Sequence, residues 1–242
     1  MRQANPSRFV IISMSRSGTS LLSETLNSHP QIVCHGEVFH PNPVGHLKDN
    51  FIEQSFDQVV QLRAENPSAF LDWVFDRPGV TAAGFKMWQS QNPDGCDSLL
   101  ADHSVAKIIY ERPNVLARFS SSLLVRTTGV YNLGADKKRS TGLDQRVAFD
   151  LRQFRAYLAK HRETFLDLRQ RARGRVLDLT YTDLLSSGFA DVQAFLGVSR
   201  QDLALQKQKL HGSDILRRFD DSHHDAIRAE LGRIGHEDWC LE

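Results

Sequence analysis

The sequence predicts an α/β fold, in which a single domain has a central parallel sheet of about five strands flanked by helices. Short apolar runs alternate with longer amphipathic stretches of helical period along most of the chain, and this alternation is typical of parallel strands joined by crossover helices. The chain has 242 residues, a length that suits one domain of this kind. No internal repeat or low-complexity tract indicates a different architecture.

The predicted elements follow one another in a regular order. Five apolar runs are the predicted strands, at residues 8–13, 31–34, 80–87, 105–110 and 175–179. Predicted helices cover residues 18–28, 113–126, 144–172 and 181–196, and a pair of helices spans 54–76 with a break near Pro67. Pro113 is expected in the first turn of its helix, where proline is favoured.

Composition limits the classes of partner that the chain can have. Its 30 Lys and Arg residues balance 29 Asp and Glu residues, which argues against a nucleic-acid or membrane surface, so any anion site must be local. The apolar runs are too short to span a bilayer, and no signal segment is predicted at residues 1–8. The three cysteines are widely spaced, which predicts reduced thiols and a cytoplasmic protein without disulfides or a cysteine zinc site.

Charged side chains follow four of the predicted strands. Arg16, Glu37, Lys86 and Arg112 each lie at or just after the end of a different strand. Because ligands of parallel sheets bind beyond the carboxyl ends of the strands, we expect these four residues to meet at one edge. The sequence therefore predicts a site for a negatively charged ligand there.

The loop at residues 13–20 is the strongest single motif. It joins a buried strand to a helix, an arrangement in which backbone amides and the helix N-terminus can wrap an anion. Arg16 adds charge, Gly18 permits unusual backbone conformations, and Thr19 and Ser20 add hydroxyl donors. The loop of nucleoside triphosphatases requires a lysine directly after this glycine, and no lysine follows Gly18. By itself the motif is also compatible with an ordinary strand–turn–helix junction.

Residues 9–22 resemble the 5′-phosphosulfate loop of sulfotransferases that depend on PAPS (3′-phosphoadenosine-5′-phosphosulfate), with most similarity to the bacterial carbohydrate branch that includes the nodulation-factor type. The resemblance continues at residues 26–31, 36–39, 176–185 and 195–198. It implies a P-loop-like sulfotransferase domain over residues 1–242, with its core at about 8–198 and a C-terminal segment at 199–242 where the resemblance is weak. It also implies metal-free transfer of a sulfuryl group from PAPS to a hydroxyl of an oligosaccharide or glycoconjugate, with release of PAP (adenosine 3′,5′-bisphosphate).

The donor site that the resemblance implies has two parts. The loop would hold the phosphosulfate, and Arg112 with Ser120, eight residues later, would hold the 3′-phosphate. A guanidinium and a hydroxyl at the start of a helix suit a compact phosphate on chemical grounds as well. The implied donor residues are Arg16, Ser17, Gly18, Thr19, Ser20, Arg112, Ser120 and Tyr181, the last of these near the adenine.

Two departures from the family pattern affect the donor site. Thr182 replaces the glutamate that usually follows Tyr181, which weakens any inference about the contacts of that segment. The basic Arg-Lys-Gly loop of the cytosolic members is absent. Lys207, Lys209, Arg217 and Arg218 are available substitutes in this polar region, although a solvated run of charges is the simpler interpretation.

The resemblance also implies that Glu37 is the base. The chemistry of sulfuryl transfer predicts that Arg16 stabilises the leaving phosphosulfate bridge. Lys86, at the end of the third strand, would neutralise the sulfuryl group or hold the acceptor, although a lysine at a strand end is also compatible with a plain surface residue. His35, His40 and Trp88 are expected to contact the substrate, and either histidine could replace Glu37 as the base. His35, Glu37 and His40 do not have the spacing of a helical His-Glu metal pair, and no Cys or Asp cluster completes a ligand set. No metal site is therefore predicted.

The long loop predicted at residues 127–143 contains the adjacent cations Lys137, Lys138 and Arg139, and it is the candidate lid over the acceptor.

Two other functions remain open from sequence. A nucleotide kinase of the P-loop type would need a loop lysine and a carboxylate for magnesium, and neither is convincingly placed. A non-catalytic nucleotide-binding protein would not need Arg16, Glu37, Arg112 and Ser120 together.

Overall fold

A computed structural model describes residues 6–48, 55–130, 145–187, 189–205 and 212–242. Its five strands are β1 (Ser7–Ser13), β2 (Ile32–His35), β3 (Ala82–Trp88), β4 (Val105–Glu111) and β5 (Val176–Thr180). They form one parallel sheet in the order β2-β3-β1-β4-β5. The predicted α/β domain with a five-stranded parallel sheet is confirmed, and all carboxyl ends of the strands lie at one edge.

The helices that cover the sheet are α1 (Thr19–Leu26), α2 (Phe56–Glu65), α3 (Pro67–Phe75), α4 (Pro93–Ala101), α5 (Val115–Thr128), α6 (Leu151–Arg171), α7 (Tyr181–Ser187), α8 (Ala190–Leu196) and α9 (His224–Ile234). The predicted break at Pro67 is confirmed, since Pro67 opens α3. The helix α4 was not predicted, and the helical stretch predicted at 181–196 consists of two helices.

Two predicted helix starts are wrong. Pro113 lies outside its helix, because the side chain of Asn114 accepts a hydrogen bond from the Ala117 amide and caps α5 one residue later. The helix predicted from residue 144 begins at Leu151, where the Asp150 side chain caps it. Val147, before that cap, pairs with Phe219 in an isolated parallel bridge, and this pairing draws the chain away from helix.

The sheet is buried on both faces, as a parallel sheet with helices on each side requires. Along β1, Val10 and Ile12 belong to the apolar cluster on one face, and Phe9 and Ile11 belong to the cluster on the other. All four side chains are fully buried. The central strand is therefore rigidly held, and the loop that follows it starts from a fixed point.

A third apolar cluster lies beyond the sheet and includes much of the segment that the sequence left uncertain. It joins α5, α6 and α9, with Phe119 packed against the rings of Phe149, Phe154 and Phe219. Asn114 donates hydrogen bonds to the carbonyls of residues 239 and 241, at 3.1 and 3.0 Å. The packing therefore brings residues 239–242 to the start of α5, beside the edge of the sheet.

The remaining sequence predictions concern the cationic lid, membrane-spanning segments and the cysteines. The cations Lys137, Lys138 and Arg139 of the predicted lid lie outside the described residues, as do Lys207 and Lys209. Among the helices that the structure describes, none is long and apolar enough to cross a membrane. The three cysteines are free thiols, and burial raises the pKa of Cys34 to about 12.

Candidate active site

The loop between β1 and α1 has a backbone shape that few residues adopt. Arg16 has a φ of 63° and Gly18 a φ of 86°, both in the left-handed region. Arg16 is the one non-glycine residue with a positive φ in the described part of the chain, and such residues are often held in place at functional sites. The Ser17 hydroxyl is buried without a hydrogen-bond partner among the described residues. A bound oxyanion would supply the hydrogen-bond partner that this buried hydroxyl lacks.

Tyr181, the first residue of α7, packs against this loop. A Cβ atom at Gly18 would lie 2.9 Å from two carbons of the Tyr181 ring, closer than any side chain can approach. The guanidinium carbon of Arg112 lies 4.9 Å from the centre of the same ring. Tyr181 therefore contacts both of the predicted phosphate-binding regions.

Gly18→Ala is expected to lower the free energy of unfolding by about 2–5 kcal/mol, the sum of strain in a left-handed alanine and the cost of moving the Tyr181 ring. Gly129→Ala is the matched control, because Gly129 has a φ of 68° and no described residue lies within 4 Å of its Cβ position. Strain alone gives about 1–2 kcal/mol there. Urea unfolding measures both variants, and equal losses would show that the Tyr181 contact contributes nothing.

A buried network supports the loop from below. Arg118 is fully buried, and its Nη2 donates to the Ser15 carbonyl at 3.0 Å. Its Nη1 donates to His161 Nδ1, so the His161 proton is on Nε2, which donates to Glu111 at 2.7 Å. Burial lowers the pKa of His161, although Glu111 acts in the opposite direction. A neutral ring can accept from Arg118, and the network therefore fixes the direction of the Ser15 carbonyl.

Arg112 follows β4 directly, as predicted, and the structure pairs it with Glu242. Its Nε donates to Glu242 Oε1 at 2.6 Å and its Nη2 donates to Oε2, a bidentate pair with both side chains about nine-tenths buried. Burial alone would lower the pKa of Arg112, but Glu242 raises it. The Nη1 group donates to the Arg16 carbonyl at 3.2 Å, which joins Arg112 to the loop. No motif in the sequence predicts Glu242 at this position.

Ser120 lies close to a second guanidinium, that of Arg218. Ser120 Oγ donates to the Ala117 carbonyl at 3.0 Å and accepts from Arg218 Nη1 at 3.3 Å. Arg218 is buried, with its Nε unpaired among the described residues, and burial followed by repulsion from Arg112 lowers its pKa to about 10. A solvated role for Arg218 is therefore wrong, whereas its neighbour Arg217 is indeed exposed.

Lys86 and Glu37 meet where β2 and β3 end. Lys86 Nζ donates to Ser20 Oγ at 2.8 Å and lies 3.6 Å from Glu37 Oε1. Gln91 Nε2 donates to Glu37 Oε2 at 2.7 Å. Burial lowers the pKa of Lys86, and the Glu37 carboxylate acts against this effect. The Trp88 ring centre lies 5.7 Å from Lys86 Nζ, so Trp88 lies beside the Lys86–Glu37 pair.

The two histidines that flank Glu37 differ in their surroundings. His35 is fully buried, with Nε2 bonded to the Val74 carbonyl at 3.2 Å and Nδ1 accepting the Lys48 amide at 2.9 Å. Burial lowers its pKa to about 3. These contacts favour a structural role for His35 over the substrate contact predicted from sequence. His40 is partly exposed and packs against the ring of His46, with 4.7 Å between ring centres.

The four charged residues that were predicted to meet at the carboxyl edge of the sheet do lie there, namely Arg16, Glu37, Lys86 and Arg112. Arg16 also donates from Nε to Ser121 Oγ at 3.0 Å, which ties the loop to α5. The supporting residues were missed, namely Gln91, Arg118, Ser121, His161 and Glu242. None of these forms a motif, and each acts through a partner that is distant in sequence.

Within the described ranges, no group of three His, Cys, Asp or Glu residues could hold a metal ion.

The sequence of the chain was compared with models of known protein families, and one of them matches. The model described as the sulfotransferase family matches residues 7–202, about four-fifths of the chain. The chain belongs to the sulfotransferase family. Nodulation protein H from Rhizobium tropici is 26% identical to this sulfotransferase over 202 residues, which cover 80% of this chain and 76% of that protein.

The same fold is found in a solved structure. A sulfotransferase from Alicyclobacillus acidocaldarius superposes with a TM-score of 0.50 at 15% identity, covering 98% of this chain and 95% of that one. Mouse sulfotransferase SULT7A1, solved in complex with PAP, gives a TM-score of 0.46 at 10% identity and covers 94% and 84% of the two chains. The family match confirms the prediction of a sulfotransferase enzyme, and the kinase alternative is set aside.

Proposed function

We propose that this sulfotransferase uses PAPS as its donor and transfers the sulfuryl group to a hydroxyl of an oligosaccharide or glycoconjugate, with Glu37 as the base. The observation that carries the proposal is that two groups of buried hydrogen-bond donors and cations lie side by side at one edge of the sheet. The loop at residues 14–20 forms one, and the guanidinium groups of Arg112 and Arg218 form the other. The bond from Arg112 to the Arg16 carbonyl joins them.

The buried groups of both regions fit a nucleotide that carries phosphate at two positions. In the loop, the unpaired Ser17 hydroxyl would receive an oxygen of the 5′-phosphosulfate, with Arg16, Thr19 and Ser20 around it. In the second region, Arg218 is a buried cation without a carboxylate at ion-pairing distance in the described part of the chain. An uncompensated buried charge is costly, and an anionic ligand would relieve it.

PAPS would supply the sulfuryl group, which passes to the acceptor oxygen as the sulfur–oxygen bond to the 5′-phosphate breaks and PAP forms. Glu37 accepts the proton of the acceptor hydroxyl as its oxygen bonds to sulfur. Lys86, held by Ser20, places positive charge beside the sulfuryl oxygens, and Arg16 stabilises the charge that develops on the phosphate. Trp88 and His40 would contact the acceptor, since Trp88 lies beside Lys86 and the His40 amide donates to the Glu37 carbonyl.

The acceptor class rests on the similarity to Nodulation protein H and on the resemblance to the carbohydrate branch. Neither nucleic acid nor a metal ion enters the proposed reaction. A cytoplasmic location remains a prediction from composition and cysteine usage.

Sulfate transfer tests this proposal directly. The protein is incubated with sulfur-labelled PAPS and a panel of oligosaccharides and phenols, and the labelled products are separated. Label on a sugar hydroxyl is expected, together with competition by PAP. Tighter binding of ATP with magnesium than of PAP would contradict the donor, and label on phenols alone would contradict the acceptor class.

A further inference from the structure

Gln91 contacts Glu37 from a short turn, Gln89–Gln91, that follows β3. We propose that Gln91 is a positioning residue, which holds one oxygen of Glu37 so that the other oxygen takes the proton of the acceptor. The inference rests on the proposed role of Glu37 as the base. No sequence motif assigns a role to Gln91, and its contact with Glu37 can be seen only in the structure.

The orientation of the Gln91 amide follows from its two partners. The Trp88 backbone N–H donates to Gln91 Oε1 at 3.0 Å, so the amide nitrogen must be on the other side. That nitrogen, Nε2, donates to Glu37 Oε2 at 2.7 Å. A flipped amide would set an oxygen against the carboxylate and a nitrogen against the N–H group. Both contacts would be repulsive, and Gln91 therefore has one stable orientation.

This contact makes the two oxygens of Glu37 unequal. Oε2 is occupied by Gln91, while Oε1 faces Lys86 Nζ at 3.6 Å, a longer separation than a hydrogen bond. Lys86 is itself held by the Ser20 hydroxyl, at the end of the loop at residues 14–20 that would bind the donor. Oε1 is therefore the oxygen next to this loop and the one that can accept a proton during transfer.

Both neighbours of Glu37 come from the end of β3. Lys86 precedes Trp88 by two residues in the strand, and Gln91 follows it by three in the turn. A single rigid element thus sets the carboxylate between a cation and a hydrogen-bond donor. A hydrogen bond to a charged group loses more free energy when it is broken than one between neutral groups, so the contact is energetically significant.

Gln91→Glu separates this role from simple capping of the turn. Glutamate has the same size and keeps an oxygen for the Trp88 N–H, but it replaces the donor to Glu37 with a second carboxylate. Gln89→Glu is the matched control, because it adds the same charge in the same turn and, in the described structure, Gln89 makes no hydrogen bond to Glu37.

The measurement is the pH profile of kcat for transfer from labelled PAPS, with PAP affinity as a check of the fold. Gln91→Glu is expected to lower kcat at pH 7 by roughly 10- to 100-fold, the loss of one hydrogen bond to a charged group. The acid limb of its profile is expected to move to higher pH by about one unit, because two carboxylates then share the site. PAP affinity and the KM for PAPS should match those of Gln89→Glu.

The outcomes separate this inference from the function on which it rests. If the unaltered protein transfers no sulfate from PAPS, the proposed function itself fails. If it does transfer sulfate and Gln91→Glu behaves like Gln89→Glu in both kcat and pH profile, the positioning role is overturned and the proposed function stands. An equal loss in both variants, without a shift of the acid limb in either, would also overturn it, since added charge alone would then account for the effect.

Discussion

Glu37→Gln is expected to lower kcat for sulfuryl transfer by about 10²- to 10⁴-fold, the usual contribution of a positioned general base. Glutamine keeps the size of the side chain, but its amide cannot take the proton of the acceptor. The Ser20–Lys86 contact does not involve Glu37, so the donor side of the site should be preserved. The dissociation constant for PAP is therefore expected to stay the same.

The controls for Glu37→Gln separate chemistry from folding. Glu65→Gln makes the same change at the end of α2, where the Glu65 side chain is exposed and bonds only to Gln61 among the described residues, and it should leave kcat unaltered. PAP binding by calorimetry shows whether the donor site of each variant is intact. Full activity in Glu37→Gln would exclude Glu37 as the base and direct attention to His40, the partly exposed histidine of the same turn.

Arg112→Ala is expected to weaken PAP binding by about 100-fold, since a hydrogen-bonded contact to a charged group contributes up to about 3 kcal/mol. The loss should be specific to the 3′-phosphate. Adenosine 5′-phosphosulfate, which lacks that phosphate, should bind the variant and the unaltered protein with similar affinity. Calorimetry with both ligands measures the difference.

The pairing of Arg112 with Glu242 requires a second variant, because alanine at 112 leaves the Glu242 carboxylate unpaired and largely buried. The double variant Arg112→Ala with Glu242→Gln removes that complication and should show the same selective loss. Glu242→Gln alone should bind PAP more tightly, since no carboxylate then competes for the guanidinium. A loss of equal size for both ligands would contradict the assignment of the 3′-phosphate to Arg112.

The frame of the site could be predicted from the sequence because it depends on local patterns. Apolar runs of strand length gave the five strands, and the parallel arrangement then required Arg16, Glu37, Lys86 and Arg112 to meet at one edge. The structure confirms that convergence through the bonds from Arg112 to the Arg16 carbonyl and from Lys86 to Ser20. The family resemblance added the reaction, which geometry alone does not specify.

The supporting contacts could not be predicted, since they join residues that no local pattern relates. Arg112 and Glu242 are 130 positions apart, and the Arg118–Ser15 contact spans 103. Gln91 is one polar residue in a turn, and its importance depends on where Glu37 lies in three dimensions. Residues 212–242 looked weakly patterned because their apolar side chains are spread over short turns and one helix, yet these side chains pack together on α5 and α6.

The Arg112–Glu242 pair has a consequence for how the proposed donor would enter. The guanidinium already holds an anion, so a 3′-phosphate would arrive by exchange with a carboxylate and would not meet a vacant cation. Much of the desolvation of Arg112 has been completed before the nucleotide binds, because the side chain is already buried. A phosphate with a charge of about −2 pairs with the guanidinium more strongly than the carboxylate does, and the net affinity at this position is the excess of the first pairing over the second. Such an exchange favours easy departure of PAP as much as easy entry of PAPS, which suits an enzyme that must turn over.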